Sequence, residues 1–435
     1  MQLMPELAQQ EGNPVSVAVI GPGVYGSHLA YQVVETTGLR LSILADIELR
    51  KTTESFRRAG VSEESVAVEE TGSGVEAALS AGQRVATSDG ALAAGADIDV
   101  VVETTGNPEA AAVHAWEGIS AGNDVVMVSV ELDATVGPLL SQFAAQQGVT
   151  YSLAYGDEPA QVVELCDWAR IQGLSVVAAG QGTELNFERH ATAADALQRY
   201  DLPDGFVAEN EPSARMYNTF LDGTKVAVEL CAAANALGLT PDVSGIHMPE
   251  TDNEGLLERF RPTADGGVLE RTGVIDAVTP TGPNPSAFVV TRADSESTQA
   301  YLSQRYNITT ASEGKYQLFH RPFHLPQETL KSVATAALHD RPTGVVTGQS
   351  SEVVAAAKRE LTPGEQIGGG GGDSIYGRCV SAEVAREADL IPFELLAGAE
   401  VTADVDTDEY ITSAEVTLET DSILYHMRQL QDRLV

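Results

Sequence analysis

VAVIGPGVYGSHLA, residues 17–30, decides the reading of this chain. An apolar run rich in β-branched residues ends at Ile20 and is followed by Gly21, Gly23 and Gly26 in the spacing G-x-G-x-x-G. A helical stretch opens at once. In that context each glycine serves a separate purpose. Gly21 permits the tight turn, Gly23 lets the backbone approach a pyrophosphate, and Gly26 allows close packing of helix on strand. Val24 and Tyr25 complete the loop, and the helix start offers free N–H groups and partial positive charge to phosphates. Asp46 follows twenty residues after Gly26, at the end of the next β-rich run, where it can hydrogen-bond ribose hydroxyls. Arg50 and Lys51 stand close behind and could meet a 2′-phosphate, so NAD and NADP both remain open; a pair of solvated charges opening a helix reads equally well.

Outward from this motif the chain alternates short β-rich runs with helical stretches, the pattern of a parallel sheet with crossover helices. Strands are expected at 15–20, 41–45, 100–103, 124–128, 150–153 and 175–179, with helices at 26–37, 108–120 and 158–172. The run VVETTGNP, 101–108, ends a strand in a polar turn. Ligands bind beyond the carboxyl ends of such strands, so Glu103, Thr104, Thr105 and Gly106 are expected to line a nicotinamide pocket. Asn107 or Thr105 capping the next helix explains the same residues without a ligand. Glu131, in SVELD after a further strand, is another candidate at the same rim. Asp157 and Glu158 read more simply as acids at a helix N-terminus.

The fold class is therefore α/β, a doubly wound Rossmann sheet followed by an α/β catalytic domain and a small β-rich domain. Boundaries are expected at 1–180, 181–340 and 341–435. A chain of 435 residues is too long for one core. It has no long apolar run and no leader pattern, so no membrane span or secretion is expected. Cys166, Cys231 and Cys379 are far apart and suit a reducing cytosol. Sixty-three acidic residues against 26 basic ones give a net charge of −37. Nucleic-acid binding is improbable on that balance, because phosphate contacts need a basic footprint. The acids are spread along the whole chain, which points to a salt-adapted source rather than an acidic tail.

Lys225 is one of only five lysines, and it lies in TKVAVELCAAANAL, 224–237, a helix that is apolar almost all round. Such a helix is buried, and buried lysines and glutamates are rare unless paired or functional. Glu229 stands one turn further on the same face, and Asp222 is placed to cap the helix. Lys315, Tyr316, His320, Arg321 and His324 form a basic-aromatic cluster, with Lys315, Arg321 and His324 the candidates for an anionic substrate. His320 and His324 have no third partner, so no metal is assigned.

Residues 101–140 resemble the second half of the Rossmann domain in homoserine-dehydrogenase-like proteins. YGDEPAQVVELCDWARIQGLSVVAAGQGTELN (155–186), FLDGTKVAVELCAAANALGLTPD (220–242), KYQLFHRPFHL (315–325) and the stretch Gly371–Gly377 narrow the resemblance to the DRL-type branch. That branch is named for a 1-deoxy-D-xylulose-5-phosphate reductoisomerase-like enzyme and carries a C-terminal SAF-like domain. The resemblance implies NAD(P)-linked reduction of a carbonyl, or the reverse, on a small polar substrate such as a sugar or sugar-acid phosphate. It implies a homo-oligomer, and it assigns Asp222 and Lys225 to binding and protonating the substrate oxygen, with Glu229 beside them. Gln181 stands where the branch leads one to expect a lysine. Homoserine dehydrogenase, and a non-catalytic NAD(P)-binding redox sensor, are the competing readings.

Overall fold

The computed structural model describes residues 2–183, 186–279, 286–305, 307–323 and 325–434. They divide into two compact units, each built from separated segments. The first comprises Met1–Asp157, Leu325–Thr347 and Ser422–Val435; the second comprises Glu158–His324 and Gly348–Asp421.

The first unit holds seven parallel strands: β1 (Val15–Ile20), β2 (Leu39–Ala45), β3 (Val66–Val68), β4 (Arg84–Thr87), β5 (Val100–Glu103), β6 (Asp124–Met127) and β7 (Tyr151–Leu153). Their order is β3-β4-β2-β1-β5-β6-β7. Helices cover both faces, so the central strands are apolar on both sides rather than alternating, and β5 is buried throughout. The strand order reverses at β1, whose neighbours are β2 and β5. A doubly wound sheet opens its ligand crevice at such a switch point, and the glycine loop follows β1 there. β3 and β4 are short and flanked by charge, which hid them from the sequence pattern.

Two late segments return to this unit. The helix Leu330–His339 places Val333 and Ala334 in its core. The helix Ile423–Leu434 begins where the Glu109 carboxylate accepts from the N–H groups of Ile423 (2.7 Å) and Leu424 (3.2 Å). It also repairs a break in the helix Val130–Gln147. That helix kinks at Val136, beside Pro138, which leaves the Thr135 carbonyl and Leu139 N–H without each other. The Gln431 amide serves both, donating to Thr135 O and accepting from Leu139 N, each at 3.1 Å.

The second unit is built on β8 (Ser175–Gly182), β9 (Val274–Val278), β10 (Ser286–Arg292), β11 (Thr309–Ala311) and β12 (Tyr316–Pro322), in the order β11-β12-β10-β8-β9. Only β8 and β9 are parallel. β8, read from sequence as the last strand of the parallel series, pairs here with β10 and β9, so the leading segment of the first unit stops at Asp157 rather than near 180. One sheet face packs Ala179, Ile275 and Val289 against Val162 of the helix Glu158–Ile171 and Val226 and Leu230 of the helix Thr224–Leu237. The other face is covered by Leu256 and Leu257 of the helix Asn253–Arg259 and by Phe260 directly after it. Beyond the sheet, β13 (Ser351–Ala357) and β14 (Ile375–Ser381) form an antiparallel pair, and β15 (Glu400–Val401) pairs with β16 (Val416–Thr417). Among the described residues no helix is long and apolar enough to cross a membrane.

Candidate functional site

In the first unit the three glycines of the fingerprint occupy three different environments. Gly21 has φ +89°, and a Cβ there would lie 2.9 Å from the backbone of Thr105. A Cβ on Gly26 would meet Thr104 Oγ1 at 2.6 Å, whereas one on Gly23 would have nothing within 4 Å. The first and third positions are thus closed by protein, and the second is open for a ligand. Gly23 caps the helix Val24–Glu35 without a side-chain bond. The N–H groups of Val24, Tyr25 and Gly26, the first three of that helix, make no hydrogen bond among the described residues. An open position beside three orphan donors fits a pyrophosphate. The Tyr25 phenol turns away, to Thr329 Oγ1 at 2.7 Å, so Tyr25 meets a cofactor only through its backbone. Asp46 directly follows β2 and accepts from Glu48 N at 2.8 Å, leaving its second oxygen for a ribose. Arg50 pairs with Glu54 at 3.1 Å and Lys51 with Glu48 at 2.5 Å. These exposed pairs on the helix Leu49–Arg58 follow the simpler of the two sequence readings.

The turn after β5 corrects one expectation. Glu103 is fully buried, and its carboxylate accepts from Thr105 Oγ1 (2.6 Å) and Ser129 Oγ, with His114 Nδ1 at 3.2 Å. It does not line a pocket; it holds the turn. Thr104 Oγ1 donates to the carbonyls of Ile20 and Gly21, which ties this turn to the glycine loop. Gly106, at φ +66°, donates its N–H to Ser129 Oγ at 2.8 Å, and Asn107 caps the next helix. Glu131 lies buried in the first turn of the helix Val130–Gln147. Two residues on, Asp133 accepts from Tyr151 OH at 2.9 Å; burial pushes its carboxyl up to about 8, against the pull of that bond. Sequence reasoning missed Asp133, because nothing in SVELD distinguishes a buried acid from an exposed one.

In the second unit Lys225 is 7% exposed, in the first turn of the buried helix Thr224–Leu237. Its Nζ lies 3.9 Å from Glu229 Oε1, and Glu229 Oε2 accepts from Gln181 Nε2 at 2.9 Å. Gln181 on β8, the residue that departs from the expected lysine, thus orients the glutamate that faces Lys225. Asp222 is placed otherwise than expected. It ends the helix Ala214–Asp222, and Gly223, at φ +87°, is the cap of the next helix. Asp222 Oδ1 accepts from Thr224 N at 2.9 Å, and Oδ2 pairs with Lys358 Nζ at 2.7 Å. Both oxygens are engaged and the residue is fully buried, so it positions the helix start rather than touching a substrate. Burial raises its carboxyl, and the Lys358 charge opposes that. Lys358 also donates to the carbonyls of Ala191 and Gly372 at 2.7 Å, while Arg215 and Asn218 take the carbonyls of Gly370 and Gly371. The glycine run 368–372 is therefore a strap fastened to the corner that carries Asp222.

The basic-aromatic cluster does not converge. Lys315 Nζ is held by Asp265 at 2.8 Å and Arg321 Nη1 by Glu164 at 3.2 Å. The length of β12 lies between them, roughly 20 Å at about 3.3 Å per residue, too far for one small anion. His324 lies outside the described residues. No metal-binding group of three or more ligands occurs among the described residues.

Residues 156–328, which carry Lys225, Glu229 and Gln181, match the model of the family described as oxidoreductase DRL, catalytic domain. No curated protein sequence matches the chain. Among solved structures the chain is similar to 1-deoxy-D-xylulose 5-phosphate reductoisomerase from Zymomonas mobilis in complex with NADPH, at 17% identity and TM-score 0.33, over 51% of this chain and 58% of that one. The chain thus spans little more than half of that enzyme's length. It is also similar to a myo-inositol dehydrogenase from Corynebacterium glutamicum (10% identity, TM-score 0.40, 77% and 91% of the two chains). A scyllo-inositol dehydrogenase from Lactobacillus casei is similar at 12% identity, TM-score 0.40, over 77% and 91%. The class is an α/β oxidoreductase. Within it, the likeness to the DRL catalytic domain is carried by residues 156–328.

Proposed function

We propose that the protein transfers a hydride between NAD(P) and a carbonyl or alcohol on a small polar, anionic substrate, a sugar or sugar-acid phosphate being the favoured class. The observation that carries this reading is Lys225: an amine on a buried, mostly apolar helix, faced by the glutamate one turn along, which a glutamine holds in place. Such an amine is suited to give a proton to an oxygen that gains charge as its carbon is reduced, and to take one back in the reverse direction. Glu229 keeps the amine in place and compensates its charge in a site poor in water. Gly21, Gly23 and Gly26 with the backbone of Val24 and Tyr25 hold the pyrophosphate, Asp46 a ribose, and Gly106 and Glu131 stand at the rim of the same sheet. The bound nicotinamide supplies or accepts the hydride.

The region 341–435 is read as a SAF-like domain, and the protein as a homo-oligomer of a reducing, salt-rich cytosol; its three free cysteines are buried, in keeping with that. The reading is tested with a panel of homoserine, deoxyxylulose phosphate and sugar-acid phosphates, followed by nicotinamide absorbance in molar KCl. Turnover of a phosphorylated sugar supports the reading, turnover of homoserine alone replaces its substrate, and none with any cofactor contradicts it.

A further inference from the structure

In a chain with 63 acidic residues, cations that find no carboxylate stand out. Arg189 and Arg378 are two of them. Among the described residues neither makes an ion pair, and Arg189 makes no hydrogen bond at all. Its guanidinium lies over the rings of Phe187 and Tyr376, at 5.5 and 5.4 Å from their centroids. Arg378 lies over the Tyr410 ring at 5.3 Å and spends one Nη2 bond on Ser244 O, while its buried Nε has no partner. Asp408, whose charge reaches Arg189, spends its Oδ1 on His190 Nε2 at 2.8 Å and Tyr376 OH at 2.9 Å.

The two arginines line one recess together with Phe187, Gly223 and Gly377. Gly223 is the start of the helix Thr224–Leu237, so the positive end of a 14-residue helix faces the same recess. Burial, and then the charge of Arg378, hold the Arg189 guanidinium below its ordinary value. Two like charges set side by side on aromatic walls, with donors unspent, are suited to take an anion between them.

We propose that Arg189 and Arg378 form a binding site for a phosphate group, free or as a monoester, beside the start of the helix Thr224–Leu237. The enclosed space is about 10 Å³, room for little more than one water, so the phosphate enters as the two side chains part. The site stands on this geometry alone and does not depend on hydride transfer.

The test uses the full chain at constant ionic strength in KCl. Inorganic phosphate is titrated by calorimetry, with melting temperature read alongside, because a ligand that binds only the folded state raises it. Wild type is expected to bind, and Arg189→Gln and Arg378→Gln to bind at least tenfold more weakly. Arg292→Gln, which removes a cation paired with Asp294 elsewhere in the unit, should bind as wild type does. Circular dichroism and the melting temperature without phosphate show whether each variant is folded, and Arg378→Lys, which keeps charge but loses the fork, should fall between. Absence of binding to wild type overturns the proposal, as does equal binding by a folded glutamine variant. Competition by glycerol 3-phosphate separates the sources: tighter binding than inorganic phosphate marks an ester site, equal binding a site for free phosphate. Loss of turnover with phosphate binding intact would fault the hydride-transfer reading and leave this site standing.

Discussion

Asp133 and Lys358 are both buried charges of the kind that decide stability one residue at a time, and they act in opposite senses. The Asp133 carboxyl, near 8 in the folded chain, is near 3.9 in an unfolded one. The folded state therefore holds the extra proton between those values, and stability falls as pH rises from about 4 to about 8. Asp133→Asn removes that slope. Urea denaturation at a series of pH values should show the variant gaining on wild type as pH rises through this window, and a constant difference would refute the assignment. Lys358, by contrast, is held by Asp222 and two carbonyls. Lys358→Met leaves a buried carboxylate uncompensated, at about 3–5 kcal/mol, and Asp222→Asn in the same chain should restore part of that loss. Two additive losses in the double variant would count against a direct pair. At this scale the sequence was readable where a residue's role is local. The spacing of Gly21, Gly23 and Gly26 revealed the loop, because turn and helix start are contiguous. The partners of Asp222, Lys315 and Arg321 lie up to 157 positions away (Arg321 to Glu164), and no local pattern announces them.

Elements show the same division. The helix 224–237 was legible to the residue, since its apolar run is bounded by Gly223 and Gly238, both left-handed. The pairing of β8 with β10 was not, because short apolar strands look alike whichever sheet receives them. KYQLFHRP was read for its cations and is a strand, with Pro322 at its end, where a missing N–H is tolerated. The kinked helix Val130–Gln147 makes a further test. Gln431→Leu strands the Leu139 N–H in the interior, at about 1–3 kcal/mol, and leaves the Thr135 carbonyl only Arg428 Nη1 at 3.4 Å. The melting temperature should fall by several degrees; an unchanged value would mean that water replaces the amide. In the glycine loop, Gly26→Ala drives a methyl into Thr104 and the Gly21 carbonyl. Fluorescence titration with NADH and NADPH should show affinity reduced at least tenfold.

Taken whole, the molecule carries a net charge of −37 with few compensating cations. Raising salt from about 0.1 to about 1 M shortens the Debye length from about 10 to about 3 Å, which weakens repulsion between exposed acids and leaves buried pairs such as Asp222–Lys358 nearly untouched. Melting temperature should climb steeply over that range in KCl, and a flat response would argue against salt adaptation. Acidity was legible at once, and so was the Rossmann sheet; three domains in chain order were expected, whereas the contacts divide the chain into two units. The assignment of 325–347 and 422–435 to the first unit was not, since chain order carries no trace of which core a late helix completes.

The central claim is that Lys225 moves the proton in an NAD(P)-linked hydride transfer. It is tested most directly by nicotinamide absorbance with the substrate that wild type turns over, comparing wild type with Lys225→Met in molar KCl. The account predicts a fall in kcat of about 10²–10⁴-fold with dinucleotide binding unchanged. A folded Lys225→Met that turns over at the wild-type rate would contradict it.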